Sequence, residues 1–145
     1  MPTYAVHSHR GLISQNQRQE VAELLTTLHA EIAIAPRYLV QVLFHDFNDG
    51  AIFLAGQEVK EGHVWVHADI RSGRTQEQKT QLLESITAQV AGVLELSPEH
   101  VWVYINEIPG EHMTEYGKLL PKPGDEDKWF ASLPQELQER LKSLA

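Results

Sequence analysis

The second residue, Pro2, offers the first chemistry in this sequence because it directly follows the initiator methionine. Methionine is normally removed when the next side chain is small, so we expect a mature chain that begins with a secondary amine. A free α-amine has a pKa near ~8 in water. Burial and neighbouring charges can tune such an amine into a neutral base or a protonated acid. Pro2 is therefore a candidate catalytic group.

The residues that follow Pro2 predict a strand, a helix and a second strand. Residues 3–8 alternate as a strand does, and Ser14 and Gln17 have the spacing of a helix capping box. Pro36 ends the helix, and residues 39–47 are rich in the β-branched and aromatic types that favour strands. The apolar stripe of the helix comprises Val21, Leu24, Leu25, Leu28 and Ile32.

The same pattern recurs 62 residues later. Residues 63–70 predict a strand, Thr75 and Gln78 repeat the capping box, and residues 101–105 predict a strand after Pro98. A shift of 62 matches Pro36 with Pro98, and it also matches the first helical stripe with Leu83, Ile86, Val90 and Leu94. The sequence therefore predicts an internal repeat with units at residues 2–47 and 63–105.

Two strand–helix–strand units predict an α+β fold in one domain that spans residues 1–145. The expected architecture is a four-stranded mixed sheet with both helices on one face, because each crossover places two parallel strands under one helix. Residues 108–145 predict an irregular tail and then a capped helix from about Ser132, with Leu137, Leu141 and Leu144 on one face. The other sheet face, which carries Trp65 and Trp102, needs cover, so we expect self-association into a homotrimer.

Composition excludes several classes of function. The chain has 145 residues, of which 42% are hydrophobic and 22% charged, with a formal net charge of −8. This acidity, without a basic stripe, argues against nucleic acid or an anionic membrane as a partner. The absence of cysteine excludes disulfides and thiolate chemistry. No apolar run is long enough to cross a bilayer and the N-terminus lacks a signal-peptide pattern, so we expect a cytoplasmic protein.

Differences between the two units identify polar residues that the repeated fold does not require. These residues are His29, Arg71, Arg74 and Tyr104. With the shift of 62, His29 pairs with Ala91. Each has an ordinary structural interpretation by itself, since both arginines lie in a predicted loop and His29 at the edge of the helical stripe. Together with the amine of Pro2, they are close to what is needed to hold a small carboxylate and move a proton.

Several motifs together resemble one enzyme family. They are the proline after Met1, the doubled unit, IRSGRT at 70–75, VWVYI at 101–105 and MTEYGKLLP at 113–121. The chain resembles the tautomerase superfamily, and within it the cis-3-chloroacrylic acid dehalogenase group, especially the relatives that hydrate acetylenic acids. The likeness extends from Pro2 to about Leu137.

This resemblance implies six site residues and a reaction. The proline supplies the catalytic amine, the two arginines bind the substrate carboxylate, the histidine contacts the substrate, and the tyrosine and glutamate position and activate water. The six are Pro2, His29, Arg71, Arg74, Tyr104 and Glu115. The implied reaction adds water to propiolate or to cis-3-haloacrylates and yields malonate semialdehyde. An ionised Glu115 near the amine would keep Pro2 protonated, as this reaction needs.

Other functions remain open at this stage. A neutral Pro2 would favour an enol–keto tautomerase of 2-oxo acids, and malonate semialdehyde decarboxylation is a further alternative within the family. Outside enzymes, the chain could be an inactive trimeric binding scaffold. We expect no metal and no organic cofactor, since His63 and His67 on one strand would lie ~13 Å apart and the chain offers no cysteine ligands.

Overall fold

The computed structural model describes residues 2–145, so the expected removal of Met1 lies outside the described residues. The first unit consists of β1 (Thr3–His9), α1 (Gln15–Ile32) and β2 (Gln41–Phe47), and a small hairpin of β3 (Phe53–Leu54) and β4 (Gln57–Glu58) follows. The second unit consists of β5 (Val64–Arg71), α2 (Gln76–Leu94) and β6 (Val101–Ile108). The tail contains β7 (Thr114–Glu115), β8 (Lys118–Leu119), α3 (Glu126–Ala131) and α4 (Gln135–Lys142).

The main sheet has four strands in the order β2-β1-β5-β6. Strands β1 and β2 are parallel, as are β5 and β6, while β1 and β5 meet antiparallel in the centre. Both helices pack on one face of this sheet, where residues such as Val6, Val21, Val66 and Ile86 are fully buried. The predicted mixed α+β architecture is confirmed.

Both predicted capping boxes are present, and they also join the two units. Ser14 accepts a hydrogen bond from the backbone N–H of Gln17, and Thr75 accepts one from that of Gln78. The Gln78 amide donates to the carbonyl of Ile32 at the end of α1 over 2.9 Å, and the Gln17 amide donates to a carbonyl near the end of α2 over 3.3 Å. Hydrogen bonds thus join the start of each helix to the end of the other helix.

The repeat is real, but the predicted shift of 62 is wrong within the helices. It holds between β1 and β5, which end on buried His9 and buried Arg71. It does not hold between β2 and β6, because Thr3 pairs with Gln41 while Trp65 pairs with Trp102, which is a shift of 61. The connection to the helix is one residue shorter in the second unit, since Ser14 and Thr75 are the caps. Within the helices the shift is therefore 61.

The corrected alignment gives the true partners of the helical residues. The fully buried residues Val21 and Leu25 correspond to Leu82 and Ile86, which are also fully buried. Leu83, which the sequence analysis assigned to the core, is only partly buried. His29 corresponds to Val90 and not to Ala91. His29 therefore occupies a core position with 1% exposure, and its predicted place at the edge of the stripe is wrong.

The tail differs from its prediction because it contains two short helices. Ser132 is the last-turn cap of α3, so the predicted helix start at this residue is wrong. Helix α4 begins at Gln135; Leu141 is buried on it, while Leu144 is 57% exposed. The tail forms its own apolar cluster against the turn after α1, with Leu39, Leu120, Trp129, Leu133 and Leu141 buried in it.

The sheet face away from the helices carries a row of stacked rings. His45, His7, Trp65 and His67 lie side by side across β2, β1 and β5, with centroid separations of 4.7–5.2 Å. Within residues 2–145, neither ring nitrogen of His7 nor the indole N–H of Trp65 has a hydrogen-bond partner. In the same described range, no helix is both long and apolar enough to span a membrane. This open face is therefore a polar-aromatic surface that the chain itself leaves uncovered.

Candidate active site

Pro2 lies directly before β1 and is buried. Its carbonyl accepts a hydrogen bond from the backbone N–H of Gln41 over 3.0 Å, which ties it to the start of β2. Side chains alternate along a strand, so Pro2 shares the helix-facing side of β1 with Tyr4, which lies ~7 Å further along. The candidate amine therefore lies at the N-terminal end of the central strand β1, near the C-terminal end of α1.

His29 reaches this end of β1 from the last turn of α1. Its Nδ1 atom lies 2.8 Å from the hydroxyl of Tyr4, which has 0% exposure. Burial, and then the positive charge of Arg74, lowers the pKa of His29 to about 3. Burial also raises the pKa of Tyr4 above its ordinary value. The pair is therefore a neutral imidazole and a neutral phenol across the physiological pH range.

Arg74 stands on the loop between β5 and α2. Its Nε–H donates to the carbonyl of Ala33, the cap residue of α1, over 3.2 Å. Burial and the neighbouring charge of Arg71 lower the pKa of Arg74, while Glu126 acts in the opposite direction. Arg74 thus lies close enough to both Arg71 and His29 for their charges to interact, beside the strand that follows Pro2.

Arg71 is the last residue of β5, so its predicted place in a loop is wrong. It is 1% exposed and donates to the carbonyl of Pro121 over 2.6 Å and to Glu126 Oε1 over 2.5 Å. Its Nε atom is buried and has no partner among residues 2–145. Arg71 is therefore a buried, packed residue as well as a candidate site residue.

The tail encloses Arg71 through close backbone packing. A Cβ atom on Gly73, which has φ of +122°, would lie 2.7 Å from the ring of Pro123. A Cβ on Gly110 would lie 3.2 Å from the side chain of Arg71. Burial would raise the pKa of Glu126, but the hydrogen bond and charge of Arg71, with backbone N–H donors, outweigh it and lower that pKa. Glu126 therefore remains an anion that holds the arginine in place.

Glu115 lies on β7 and lines a cleft of about 550 Å³. The cleft is bounded by Thr3 and Gln41 at the starts of β1 and β2, by residues 38–40, and by residues 112–116. The Tyr116 hydroxyl donates to the carbonyl of Tyr38, which closes one side. Since Pro2 directly precedes Thr3 and is bonded to Gln41, this cleft opens beside the candidate amine and contains the candidate base.

Tyr104 is not part of this cluster within one chain. It lies on β6, 53% exposed, on the open face, with its ring 5.6 Å from that of Trp65. It pairs with His67, which pairs with Ala5, so it stands two strands and three residues from Pro2, ~14 Å away on the opposite face. Tyr104 thus stands apart from the other candidates. His29, Arg71 and Arg74 lie near the start of β1, and Glu115 lines the cleft that Thr3 and Gln41 bound.

Comparison with known proteins now decides the family. A family model described as "Putative oxalocrotonate tautomerase enzyme" matches residues 1–132. The crystal structure of N1, a member of the cis-3-chloroacrylic acid dehalogenase family, is 70% identical, with a TM-score of 0.95 over 97% of this chain and 99% of that one. The chain belongs to the tautomerase superfamily. Within the superfamily it belongs to the cis-3-chloroacrylic acid dehalogenase family, so the predicted resemblance is confirmed.

Two more distant relatives also resemble this chain. A "Probable tautomerase" of Streptococcus mutans serotype c is 34% identical over 58 residues, which are 40% of this chain and 95% of that protein. The R7 fused 4-OT asymmetric trimer is 26% identical, with a TM-score of 0.73 over 81% of this chain and 94% of that one. A protein of about one repeat unit thus matches part of this chain, and a trimeric relative shares its fold.

Two residues that contact the candidate site residues were missed by the sequence analysis. Tyr4, the partner of His29, corresponds to Val66 in the second unit at the predicted shift of 62, so the repeat carried a signal for it. Glu126, the partner of Arg71, lies 55 residues away in the tail, where no counterpart exists. Only the first could have been found by comparing the two units.

Proposed function

We propose that this protein adds water to propiolate and to cis-3-haloacrylates, giving malonate semialdehyde. The observation that supports this most is the grouping of His29, Arg71 and Arg74 beside the strand that begins after Pro2. Membership in the tautomerase superfamily agrees with dehalogenase or tautomerase chemistry at such a site. The specific substrates are our proposal.

The arginines are proposed to hold the substrate carboxylate. A guanidinium has five N–H donors, of which Arg71 gives one to Pro121 and one to Glu126. Its buried Nε–H and the guanidinium of Arg74 are donors of the kind that planar carboxylates accept. Binding there draws electron density from C-3 of an unsaturated acid, which is where water must add.

Glu115 and Pro2 are proposed to move the protons. Glu115 takes a proton from water as the oxygen adds to C-3, and protonated Pro2 delivers a proton to C-2. From propiolate, the resulting enol rearranges to malonate semialdehyde. From a cis-3-haloacrylate, the addition gives a halohydrin, which loses halide and its hydroxyl proton to give the same aldehyde. Both routes need an ionised Glu115 and a charged Pro2, since the first must accept a proton and the second donate one.

A homotrimer is proposed to complete the site. Tyr104 lies exposed on the open sheet face, and this face carries the unpartnered His7 and Trp65. Related structures are trimers. If three copies pack through these faces, Tyr104 of one copy can reach the cleft of another and orient its water. No nucleic acid, membrane or cofactor is proposed as a partner, and the cytoplasm remains the predicted compartment.

Turnover distinguishes this proposal from its alternatives. Purified protein is incubated separately with propiolate, cis-3-chloroacrylate, malonate semialdehyde or the enol of phenylpyruvate, and products are followed by ¹H NMR. We expect malonate semialdehyde from the first two acids. Enol–keto conversion alone would support the alternative of a tautomerase. Accumulation of acetaldehyde from malonate semialdehyde would support the decarboxylase, and no turnover of any compound would support the inactive binding scaffold.

A further inference from the structure

The Tyr4–His29 pair replaces an apolar pair that the fold accepts elsewhere. In the second unit the same two places are held by Val66 and Val90, both with 0% exposure. The sheet and helix therefore pack at this point without any polar group. A phenol and an imidazole in a dry position carry a desolvation cost that valines do not, so the first unit retains them for another reason.

The hydrogen bond between the two side chains determines where the imidazole proton lies. The Tyr4 hydroxyl and His29 Nδ1 are 2.8 Å apart, and the hydroxyl is fully buried. A buried hydroxyl proton needs an acceptor, and a neutral imidazole offers one acceptor nitrogen. If Tyr4 donates to Nδ1, the imidazole proton must be on Nε2, on the other side of the ring.

We propose that Tyr4 is a positioning residue that fixes His29 as the neutral tautomer with its proton on Nε2, so that Nε2–H donates a hydrogen bond to the substrate. The proposal rests on the hydration site described above, and it adds a residue and a protonation state to it. Tyr4 acts only through His29 and does not touch the substrate.

A neutral donor suits this location better than a charged one. Arg74 already supplies positive charge near His29, and Arg71 in turn lies close enough to Arg74 to lower its pKa. A third cation beside them would be repelled, whereas a neutral N–H adds a directed bond without that cost. The low pKa of His29, about 3, keeps the ring neutral where the reaction takes place. His29 is therefore unsuited to act as a proton acceptor from water, which leaves that role to Glu115.

The tautomer can be measured directly by ¹⁵N NMR of histidine-labelled protein at pH 7. We expect His29 to show a protonated Nε2 and an unprotonated Nδ1 in the unmodified chain. In Tyr4→Phe, which keeps the ring but removes the donor, the two nitrogens should shift towards a mixture of tautomers. A proton on Nδ1 in the unmodified chain would overturn the proposal, and this result needs no variant to fold.

Kinetics separate positioning from a purely structural role. Tyr4→Phe should lower kcat/KM for propiolate about a hundredfold at temperatures where circular dichroism shows an intact fold. His29→Gln, whose amide N–H can take the place of Nε2–H, should keep more activity than His29→Asn, whose amide oxygen can only replace Nδ1. Unchanged kinetics in folded Tyr4→Phe, or equal activities of the two His29 variants, would contradict the proposal.

The tautomer experiment also stands apart from the proposed function. If the expected nitrogen shifts are found but propiolate is not turned over, the hydratase is wrong and the Tyr4–His29 assignment is correct. If propiolate is hydrated but His29 carries its proton on Nδ1, the assignment is wrong and the hydratase remains.

Discussion

Arg71→Ala is expected to lose both activity and a large part of its stability, whereas Arg74→Ala loses activity and keeps its fold. Arg71 is 1% exposed and pairs with Glu126, whose side chain is 22% exposed, so its removal takes away a fully buried, packed side chain and leaves a partly buried carboxylate without its cation. Breaking a buried pair from one side typically costs about 3–5 kcal/mol. Arg74 has one hydrogen bond, to Ala33, from a loop.

Chemical denaturation at fixed protein concentration measures the difference between these variants. A matched control is Arg18→Ala, because Arg18 pairs with Asp46 while both side chains keep about a quarter of their exposure, 27% and 23%. The free energy of unfolding of Arg18→Ala should fall by no more than about 1 kcal/mol. An Arg71→Ala protein no less stable than the Arg18 control would show that the contact with the tail contributes little.

Glu115→Gln is expected to abolish hydration and to spare the tautomerisation of phenylpyruvate. The amide keeps the size of the side chain but cannot take a proton from water, and loss of a general base typically costs about 10²–10⁴-fold in rate. Enol–keto conversion is expected to use the neutral fraction of the Pro2 amine, which takes the enol proton without help from Glu115. Steady-state rates with propiolate and with phenylpyruvate enol, measured on the same preparation, give the ratio directly.

Glu111→Gln is the matched control for this experiment. Glu111 lies four residues earlier on the same segment, is exposed, and does not line the cleft. It should retain both activities. If Glu115→Gln lost hydration and tautomerisation activity equally, the glutamate would have a structural role in the cleft. If the variant kept its full hydration rate, Glu115 would not be the general base.

Local patterns in the sequence were sufficient for most of the fold. Capping boxes at Ser14 and Thr75, and apolar residues at helical spacing, are short-range signals, and both helices begin where these predict. The repeat was visible too, but one residue fewer between Arg71 and Thr75 displaced the helical alignment. That single residue hid the correspondence of His29 with Val90 and made a buried histidine look peripheral.

The tail and its contacts could not be predicted from local patterns. Residues 108–125 contain several prolines and glycines, and their structure depends on distant partners. Glu126 binds Arg71 across 55 residues, and the Tyr116 hydroxyl reaches the carbonyl of Tyr38 across 78. Such contacts have no period in the sequence. Tyr104 is a further case, because its proposed role depends on the packing of separate chains.

The protonation state of Pro2 tests the central claim most directly, since hydration requires the amine as an acid. The chain is prepared with ¹⁵N-labelled proline, mass spectrometry establishes that Met1 has been removed, and the Pro2 nitrogen is titrated by NMR. We predict an amine that is still protonated at pH 7, because the proposed mechanism places an ionised Glu115 beside it and a neighbouring anion stabilises a cation. An amine that is already neutral well below pH 7 would contradict the proposed hydratase function and favour the tautomerase alternative.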